Sequence, residues 1–413
     1  AIIGVKYGST WETIISGITK SISSTAPALI ILLLIGSLAG TWLLSGIVPA
    51  MIYYGLQILS PKIFLLATCV ICAIVSIATG SSWSTIATIG IALIGIGQTL
   101  GFSMGITAGA IISGAYFGDK MSPLSDTTNL APAMAGTDLF THIRYMMYTT
   151  IPSFVITLIL FIVIGLNYQA DTLYDVNDLL IAIENTFTIN GWLFLAPCLV
   201  IVLIVKKVAP IPALLAGILA GGLVAVIFQP NIILSVSGED VFSIKASYLA
   251  IINAMGNEIA IFTENQMINK LLSTGGMYGM LNTIWLIICA MIFGGIMEVT
   301  GLLKRISEPI ISYAKNTGSL VATNAGTCIF FNITASDQYL SIVVPGRMFV
   351  KAYKEKGLAP ENLSRTLEDS GTVTSVLIPW NTCGATQSAV LGVATFAYLP
   401  YCFFNIISPF MTI

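Results

Sequence analysis

The sequence predicts an all-α polytopic membrane protein, and three observations support this fold class. Of the 413 residues, 56% are hydrophobic and only 9% are charged, whereas a soluble domain carries about 25% charged residues. Segments of alternating hydrophobicity, which a membrane β-barrel would require, are not seen. Apolar runs of roughly 20 residues, the length that crosses a bilayer as a helix, recur at 26–47, 61–80, 150–167, 188–205, 211–229 and 278–303.

The remaining composition argues against several other classes of protein. A net charge of −2 leaves no basic surface for nucleic acid. Most of the seven cysteines lie inside apolar runs. We therefore interpret the CxxC formed by Cys69 and Cys72 as two small buried residues rather than a metal or redox site. No cofactor is expected. Residue 1 is Ala rather than Met, so we expect that upstream helices precede this sequence.

The lysines and arginines orient the apolar runs, because these residues gather on the cytoplasmic side of a membrane. The basic stretch 345–365, together with Lys304 and Lys315, is interpreted as cytoplasmic. The apolar stretch 317–344 then begins and ends on the same side, so it must enter the membrane and turn back. Its polar centre, "NITASDQYLS" at 332–341, predicts the tip of a re-entrant hairpin, since irregular backbone at membrane depth requires protein or a water-filled cavity around it.

The connection between the two halves contains two predicted spans. The acidic segment 168–186 has no lysine or arginine and is interpreted as external. Lys206 lies beyond the run 188–205, which therefore crosses inward. The run 211–229 crosses back outward, and 278–303 returns inward.

The two halves are predicted to be inverted repeats. When the first half of the sequence is aligned with the second half without gaps, the alignment that pairs Gly40 with Gly295 also pairs Thr79 with Thr334. One alignment therefore matches two motifs. The span that contains Gly40 follows Lys20 and runs outward, whereas the span that contains Gly295 runs inward. Inverted repeats with a binding site near the midplane are typical of secondary transporters. The assigned boundaries are 1–168 for the first repeat, 169–243 for a connecting segment with two transmembrane helices, and 244–413 for the second repeat.

Each half also contains a polar, interrupted element within apolar surroundings. The first is "GDKMSPLSDTTNLAP" at 118–132, and the second is "LEDSGTVTSVLIPWNTCGATQS" at 367–388. Prolines break the helix in both elements, and their hydroxyls, amides and carboxylates offer oxygen ligands suited to a small cation. We therefore predict that these elements line a buried cation site. Each repeat would combine a re-entrant hairpin with a broken transmembrane helix.

The same two blocks resemble the NhaC family of sodium/proton antiporters. The stretches 118–152 and 367–385 carry the resemblance, which extends over nearly the whole chain. It implies exchange of Na⁺ for H⁺ by alternating access across the cytoplasmic membrane of a bacterium. Some similar members exchange malate for lactate together with sodium and protons. A sodium- and proton-coupled malate/lactate antiporter is therefore the alternative.

Carboxylates in the interrupted elements and spans are the candidates for ion binding and coupling. Asp126 lies in a proline-broken segment and Asp337 at a predicted hairpin tip, where an unpaired charge is costly. These two are predicted to bind Na⁺, with helix capping as the alternative for Asp126. Asp119, Glu298 and Asp369 are further candidates. Their respective alternatives are an interfacial charge, a structural pairing with a hydroxyl group and a helix cap.

Neutral polar side chains are expected to complete the site. The hydroxyl-rich stretch around Trp83 is predicted to form the tip of the first re-entrant hairpin. Its residues Ser82 and Ser84 are expected either to hold a carboxylate substrate or to permit close helix packing. Trp380 is a candidate gate. His142 is interpreted as a solvated interfacial residue in preference to a sensor of cytoplasmic pH. The predicted oxygen shell around the ion comprises Ser125, Thr127, Asn129, Ser336, Asn381 and Thr382.

Other functional classes receive less support. The sequence contains no HExxH, GxSxG or other nucleophile–base pairing, so an enzyme is not expected. Two dissimilar broken helices without a repeated filter argue against a channel, and the lack of a P-loop argues against a primary pump. The expected partners are Na⁺, H⁺ and the lipid bilayer, with malate or lactate under the alternative. A homodimer is compatible with the sequence.

Overall fold

The structure is a computed structural model built almost entirely of helices. It describes residues 1–6, 8–167, 176–262, 269, 272–303, 305–306 and 316–413. Some residues that orient the predicted spans lie outside the described residues. They are Lys304, Lys315 and the first part of the acidic segment, 168–175.

Helices satisfy their own backbone hydrogen bonds, as the interior of a bilayer requires. Two short strands, Ile259–Ala260 and Ser273–Thr274, pair in antiparallel fashion. The described α-helices are α1 Ile2–Lys6, α2 Trp11–Leu44, α3 Ile47–Ile58, α4 Pro61–Thr79, α5 Ser82–Thr85, α6 Ile91–Thr99, α7 Met104–Met121, α8 Asp126–Ala135, α9 Leu139–Asn167, α10 Val176–Thr186, α11 Leu195–Val205, α12 Pro210–Phe228, α13 Pro230–Ser237, α14 Ile244–Gly256, α15 Gly276–Gly279, α16 Leu281–Val299, α17 Thr317–Thr334, α18 Gln338–Glu355, α19 Pro360–Leu367, α20 Thr382–Leu391, α21 Thr395–Tyr398 and α22 Phe403–Met411. The 3₁₀-helices are Gly191–Phe194, Ser375–Leu377 and Leu399–Tyr401, and the π-helices are Ile86–Gly90 and Glu368–Thr372.

Several of these helices have the length and composition of membrane spans. Among the described residues, five helical stretches are long and apolar enough to cross a membrane, and a bent pair within 180–205 makes a sixth if it is one span. These stretches coincide with the predicted apolar runs and confirm the all-α polytopic class. The five are Trp11–Leu44, Pro61–Thr79, Leu139–Asn167, Pro210–Phe228 and Gly276–Val299.

Helix α2 packs against α12, α14 and α16 and so joins the first part of the chain to the later parts. A Cβ atom on Gly40 would lie 1.7 Å from the carbonyl oxygen of Ala254, so only glycine permits this approach. The indole Nε1 of Trp42 donates a hydrogen bond to the carbonyl oxygen of Gly217 at 3.2 Å. Close backbone contact of this kind holds helices together in lipid, where apolar side chains gain little from facing one another.

Helices α4 and α7 are in backbone contact along one face. Gly114 and Gly118 of α7 occur four residues apart and lie on this face. An added Cβ would lie 2.1 Å from the carbonyl oxygen of Cys69 and 2.4 Å from that of Ala73, respectively. Cys69 and Cys72 are buried free thiols, which agrees with their interpretation as small packing residues. The pair α4–α7 is therefore closely packed.

Two short breaks separate consecutive helices where the sequence predicts hairpin tips. Helix α4 ends at Thr79, Gly80 has a left-handed φ of 68°, and α5 begins at Ser82. Residues 335–337 separate α17 from α18, and Ser336 has a φ of 60°. Helices α17 and α18 pack against each other, so the chain turns back at this second break.

The two polar elements are also interrupted helices. Residues 122–125 separate α7 from α8, and the hydroxyl of Ser125 accepts a hydrogen bond from the backbone N–H of Thr128. Ser125 is therefore the N-cap, and Asp126 is the first helical residue rather than the cap. In the second element, α19 leads into the π-helix Glu368–Thr372 and then into irregular backbone before α20. Helix α8 packs against α18 and α19, so the two elements lie in one assembly.

Candidate functional site

A polar cavity of about 1100 Å³ lies between the two interrupted elements and the two breaks. Its wall also includes part of α2 and the stretch 207–212. Three carboxylates, Asp119, Asp126 and Asp337, line the cavity, and Lys207 is the one lysine or arginine among the described lining residues. This excess of negative charge favours cations over anions.

Most of the predicted binding residues line this cavity. Three others are sequence neighbours of lining residues, and two belong to other parts of the structure. Ser82, Ser336 and Asn381 are buried directly beside lining residues in the sequence. Glu298 on α16 is exposed, Asp369 is buried, and neither belongs to the cavity lining, so their roles in binding stay predictions. The predicted residues in the lining are Asp119, Asp126, Asp337, Ser125, Thr127, Asn129, Thr382, Trp83 and Ser84.

Asp119 connects the end of α7 to the break after α4. Its side chain is 8% exposed. The Oδ2 atom accepts hydrogen bonds from the hydroxyl of Ser82 at 2.7 Å and from the backbone N–H of Ser82 at 3.2 Å. Because Ser82 begins the helical stretch 82–99, its N–H belongs to the positive end of a helix, which stabilises a carboxylate. Asp119 is therefore held by the break and faces the cavity, instead of forming an interfacial charge.

Asp337 has a comparable arrangement in the other half of the chain. Its Oδ1 atom accepts a hydrogen bond from the backbone N–H of Leu340 at 2.9 Å and caps α18. The side chain is half-buried, whereas Asp126 on the first turn of α8 is exposed to the cavity. The Tyr339 hydroxyl lies within electrostatic range of all three lining carboxylates. Asp337 thus combines a capping role with a position on the cavity wall.

The three carboxylates do not converge on a single point. The described residues contain no group of three or more His, Cys, Asp or Glu side chains able to hold one metal ion. A small cation in this cavity would therefore bind to individual carboxylates supplemented by hydroxyl, amide and backbone oxygens.

Amide side chains hold the second interrupted element in place. Asn332 donates a hydrogen bond to the carbonyl oxygen of Gly371 at 2.7 Å, and Gln338 donates one to that of Thr372 at 3.1 Å. Asn381 donates to the Oδ1 atom of Asn332 at 3.1 Å. The first two bonds pair backbone carbonyl groups of the irregular helix, and Asn381 also donates to the backbone carbonyl of Asn332 at 3.2 Å. The Asn381 amide therefore stabilises the break itself.

A second group of charged side chains is buried outside the cavity lining. Lys120 of α7 and Asp369 of the π-helix form an ion pair in which both side chains are fully buried. Ser408 donates a hydrogen bond to Oδ1 of Asp369 at 2.9 Å, and Thr149 donates to Oδ2 at 2.9 Å. A buried pair needs such hydrogen bonds to offset the loss of hydration. This pair joins the first interrupted element to the second, so Asp369 is a pairing residue and not a helix cap.

The prediction that His142 is solvated at the interface is wrong. Its side chain on α9 is completely buried, and Nδ1 lies 2.8 Å from the hydroxyl oxygen of Ser364 on α19. The neighbouring Arg365 guanidinium lies over the ring of Tyr145, 5.3 Å from its centroid, and also donates to the carbonyl oxygen of Thr412. Contacts with a distant helix therefore determine the position of His142.

Comparison with known proteins gives matches over the full length of the chain. A family model described as the Na⁺/H⁺ antiporter family matches residues 114–413. The chain is 40% identical over its entire length to the Na⁺/H⁺ antiporter NhaC of Alkalihalophilus pseudofirmus, of which it covers 86%. It is 38% identical to the malate-2H⁺/Na⁺-lactate antiporter of Bacillus subtilis, over 98% of this chain and 84% of that protein.

A third relative, the arginine/ornithine antiporter ArcD of Halobacterium salinarum, is 35% identical over 98% of this chain and 82% of its own length. The family model includes both interrupted elements and most of the cavity lining. Together with the apolar helices of spanning length, these matches show a multi-pass protein of the cell membrane. The chain belongs to the Na⁺/H⁺ antiporter family.

Proposed function

We propose that the protein is a secondary active transporter that exchanges Na⁺ for H⁺ across the cytoplasmic membrane by alternating access. The observation that supports this most strongly is the cavity with Asp119, Asp126 and Asp337, each beside an interruption in a helix. Interrupted helices provide the ion sites of many secondary transporters. No cofactor is required, because the transported ions supply the driving force.

We propose that Asp126 and Asp337 are the principal charged groups for Na⁺. Ser125, Thr127 and Asn129 adjoin Asp126 and line the same cavity, so they offer neutral oxygen ligands. Replacing either aspartate by asparagine preserves the side-chain volume and removes the charge. Asp126→Asn and Asp337→Asn should abolish Na⁺-dependent proton movement in protein that remains folded and inserted. Normal exchange by both variants would place the Na⁺ site elsewhere.

The size of the cavity supports the second candidate, exchange of malate for lactate coupled to Na⁺ and H⁺. A volume of about 1100 Å³ corresponds to a site for an organic molecule rather than for a bare ion. Lys207 borders the cavity and is available to pair with a carboxylate. The three lining carboxylates argue against malate/lactate exchange, because they repel a dicarboxylate. We therefore propose ion exchange as the main activity.

The experiment that separates these activities uses the purified protein in liposomes that contain a pH-sensitive dye. Addition of external Na⁺ should change the internal pH without any organic anion. Parallel samples receive Na⁺ together with malate, with lactate or with both on opposite sides. A pH change that requires malate and lactate would reverse the order of the two candidates. A lack of Na⁺-driven pH change under every condition would exclude both.

We also propose that the protein consists of two inverted repeats at 1–168 and 244–413, with 169–243 as the connection. The support is that each repeat contains one short break and one interrupted polar element. The breaks near Ser82 and Asp337 would then be tips of re-entrant hairpins. Single cysteines on either side of 317–350, introduced into a cysteine-free variant, should react with an impermeant thiol reagent from the same side of the membrane. Labelling from opposite sides would contradict this topology.

A further inference from the structure

Glu368 is a buried carboxyl group that no part of the proposed cation site uses. It begins the π-helix, and its side chain is completely buried. Neither of its carboxyl oxygens has a hydrogen-bond partner among the residues that the structure describes. The hydroxyl of Thr372, one turn further along the same segment, faces this carboxyl group and is also buried without a hydrogen bond of normal geometry. An ionised carboxylate in such surroundings is strongly disfavoured, so burial favours the protonated form of this side chain.

The charged groups that face Glu368 belong to both interrupted elements. Asp119 and Lys120 at the end of α7, and Asp369 next to Glu368 in the chain, lie within electrostatic range. Lys120 is already paired with Asp369, so its positive charge is balanced while Glu368 is neutral. Asp119 lines the cavity. Asp119 therefore interacts electrostatically with Glu368 and also belongs to the cavity wall.

Several other titratable groups surround the π-helix. Helices α17 and α18, which pack against it, contribute Cys328 and Tyr353, and both are buried. Arg365 of α19 has its Nε atom 4.0 Å from Asp369, and His142 of α9 also faces the Lys120–Asp369 pair. Helix α8 contributes Asp126 to the cavity, and α22 has no titratable side chain. Among these groups, as far as the structure describes them, Glu368 is the carboxyl that is completely buried and has no hydrogen bond to either oxygen.

We propose that Glu368 binds the exchanged proton, at a site separate from the cation cavity but coupled to it electrostatically. A cation that binds beside Asp119 favours the ionised form of a neighbouring carboxyl group. The O–H bond of Glu368 then breaks, and the proton leaves to water. Conversely, a proton on Glu368 lowers the affinity of the cavity for Na⁺ by the same factor, because such coupling is reciprocal. Na⁺ and H⁺ thus weaken each other's binding without sharing one carboxylate.

The proposal rests on Na⁺/H⁺ exchange and is tested with Glu368→Gln, which preserves the shape of the side chain and cannot ionise. In liposomes, this variant should lose Na⁺-driven proton movement and retain exchange of radioactive Na⁺ for unlabelled Na⁺. The Na⁺ affinity of the purified variant should also lose the pH dependence that the unaltered protein shows. Glu355→Gln is the matched control, since Glu355 is an exposed glutamate whose ion pair within the described part of the chain is with the exposed Lys351, and it should behave as the unaltered protein.

The outcomes separate this proposal from the function on which it rests. If the unaltered protein moves no protons with Na⁺, the exchange function itself is refuted. If it does so and Glu368→Gln matches it, only the role of Glu368 is refuted. Loss of both proton movement and Na⁺/Na⁺ exchange in a folded variant would also refute a separate proton site.

A measurement on the unaltered protein covers the case in which Glu368→Gln does not fold. The apolar reagent dicyclohexylcarbodiimide adds to the O–H of a protonated carboxyl group and leaves a stable acylurea that mass spectrometry can locate. Glu368 should be labelled at low Na⁺, and added Na⁺ should slow the labelling because it favours the ionised form. Labelling that ignores Na⁺, or no labelling at Glu368, would overturn the proposal.

Discussion

Replacing Lys120 by methionine should destabilise the folded protein strongly. Methionine has a similar length and no charge, so the substitution removes the cation and leaves little empty volume. Asp369 would remain buried with hydrogen bonds from Thr149 and Ser408 but without its paired cation. The expected result is a large loss of unfolding free energy, caused by the unbalanced carboxylate.

The size of this loss follows from the surroundings of Asp369. Removing one partner of a fully buried ion pair costs about 3–5 kcal/mol. The guanidinium of Arg365, whose Nε atom lies 4.0 Å from Oδ2 of Asp369, partly compensates for the lost charge. We therefore expect the lower end of the range, about 3 kcal/mol, which corresponds to a roughly hundredfold change in the folding equilibrium.

The assay is reversible unfolding in mixed micelles, followed by circular dichroism as the fraction of denaturing detergent increases. Lys120→Met combined with Asp369→Asn should recover much of the stability, since no unpaired charge then remains buried. Lys351→Met is the control, because Lys351 and Glu355 form an exposed pair with a separation of 3.7 Å, and exposed pairs contribute little. A loss below about 1 kcal/mol for Lys120→Met, or no recovery in the double variant, would refute the reasoning.

Three other outcomes are expected. Asp119→Asn should raise the Na⁺ concentration needed for half-maximal transport by about tenfold or more, the equivalent of about 1.4 kcal/mol; an unchanged Na⁺ dependence would remove Asp119 from the site. Ser82→Ala should lower the unfolding free energy by about 1.5–3 kcal/mol, since it deletes a hydrogen bond to a buried carboxylate, whereas full stability would show that the backbone N–H suffices. Gly114→Val should prevent recovery of monodisperse protein, because its Cβ would lie 2.1 Å from the carbonyl oxygen of Cys69; normal yield and size-exclusion behaviour would contradict close α4–α7 contact.

The spans and interruptions could be predicted from the sequence because they depend on local composition. An apolar run of sufficient length indicates a spanning helix wherever it packs. The hydroxyl-rich stretch after Thr79 and the polar residues around Asp337 indicated the two breaks, which the structure places at 80–81 and 335–337. Local composition also identified most of the residues of the cavity wall, because these residues belong to the polar stretches of the sequence.

The side-chain pairings could not be predicted in the same way. Lys120 and Asp369 are 249 positions apart, and His142 and Ser364 are 222 positions apart. A charged or polar residue in an apolar segment requires a partner, but tertiary packing selects which one. His142 lies in a stretch of mixed polar and apolar residues, 138–148, which by itself favours an interfacial position. The helix that buries it comes from the other half of the chain.

The glycine contact between α4 and α7 has a mechanical consequence. With the backbones touching at Gly114 and Cys69, neither helix can slide or roll over the other without separating. We therefore expect the two helices to move together as a single rigid strut. One end of this strut carries both the tip that begins with Ser82 and the carboxylate of Asp119, joined by two hydrogen bonds. Any rearrangement that exposes the cavity to the opposite side must carry this end as one piece.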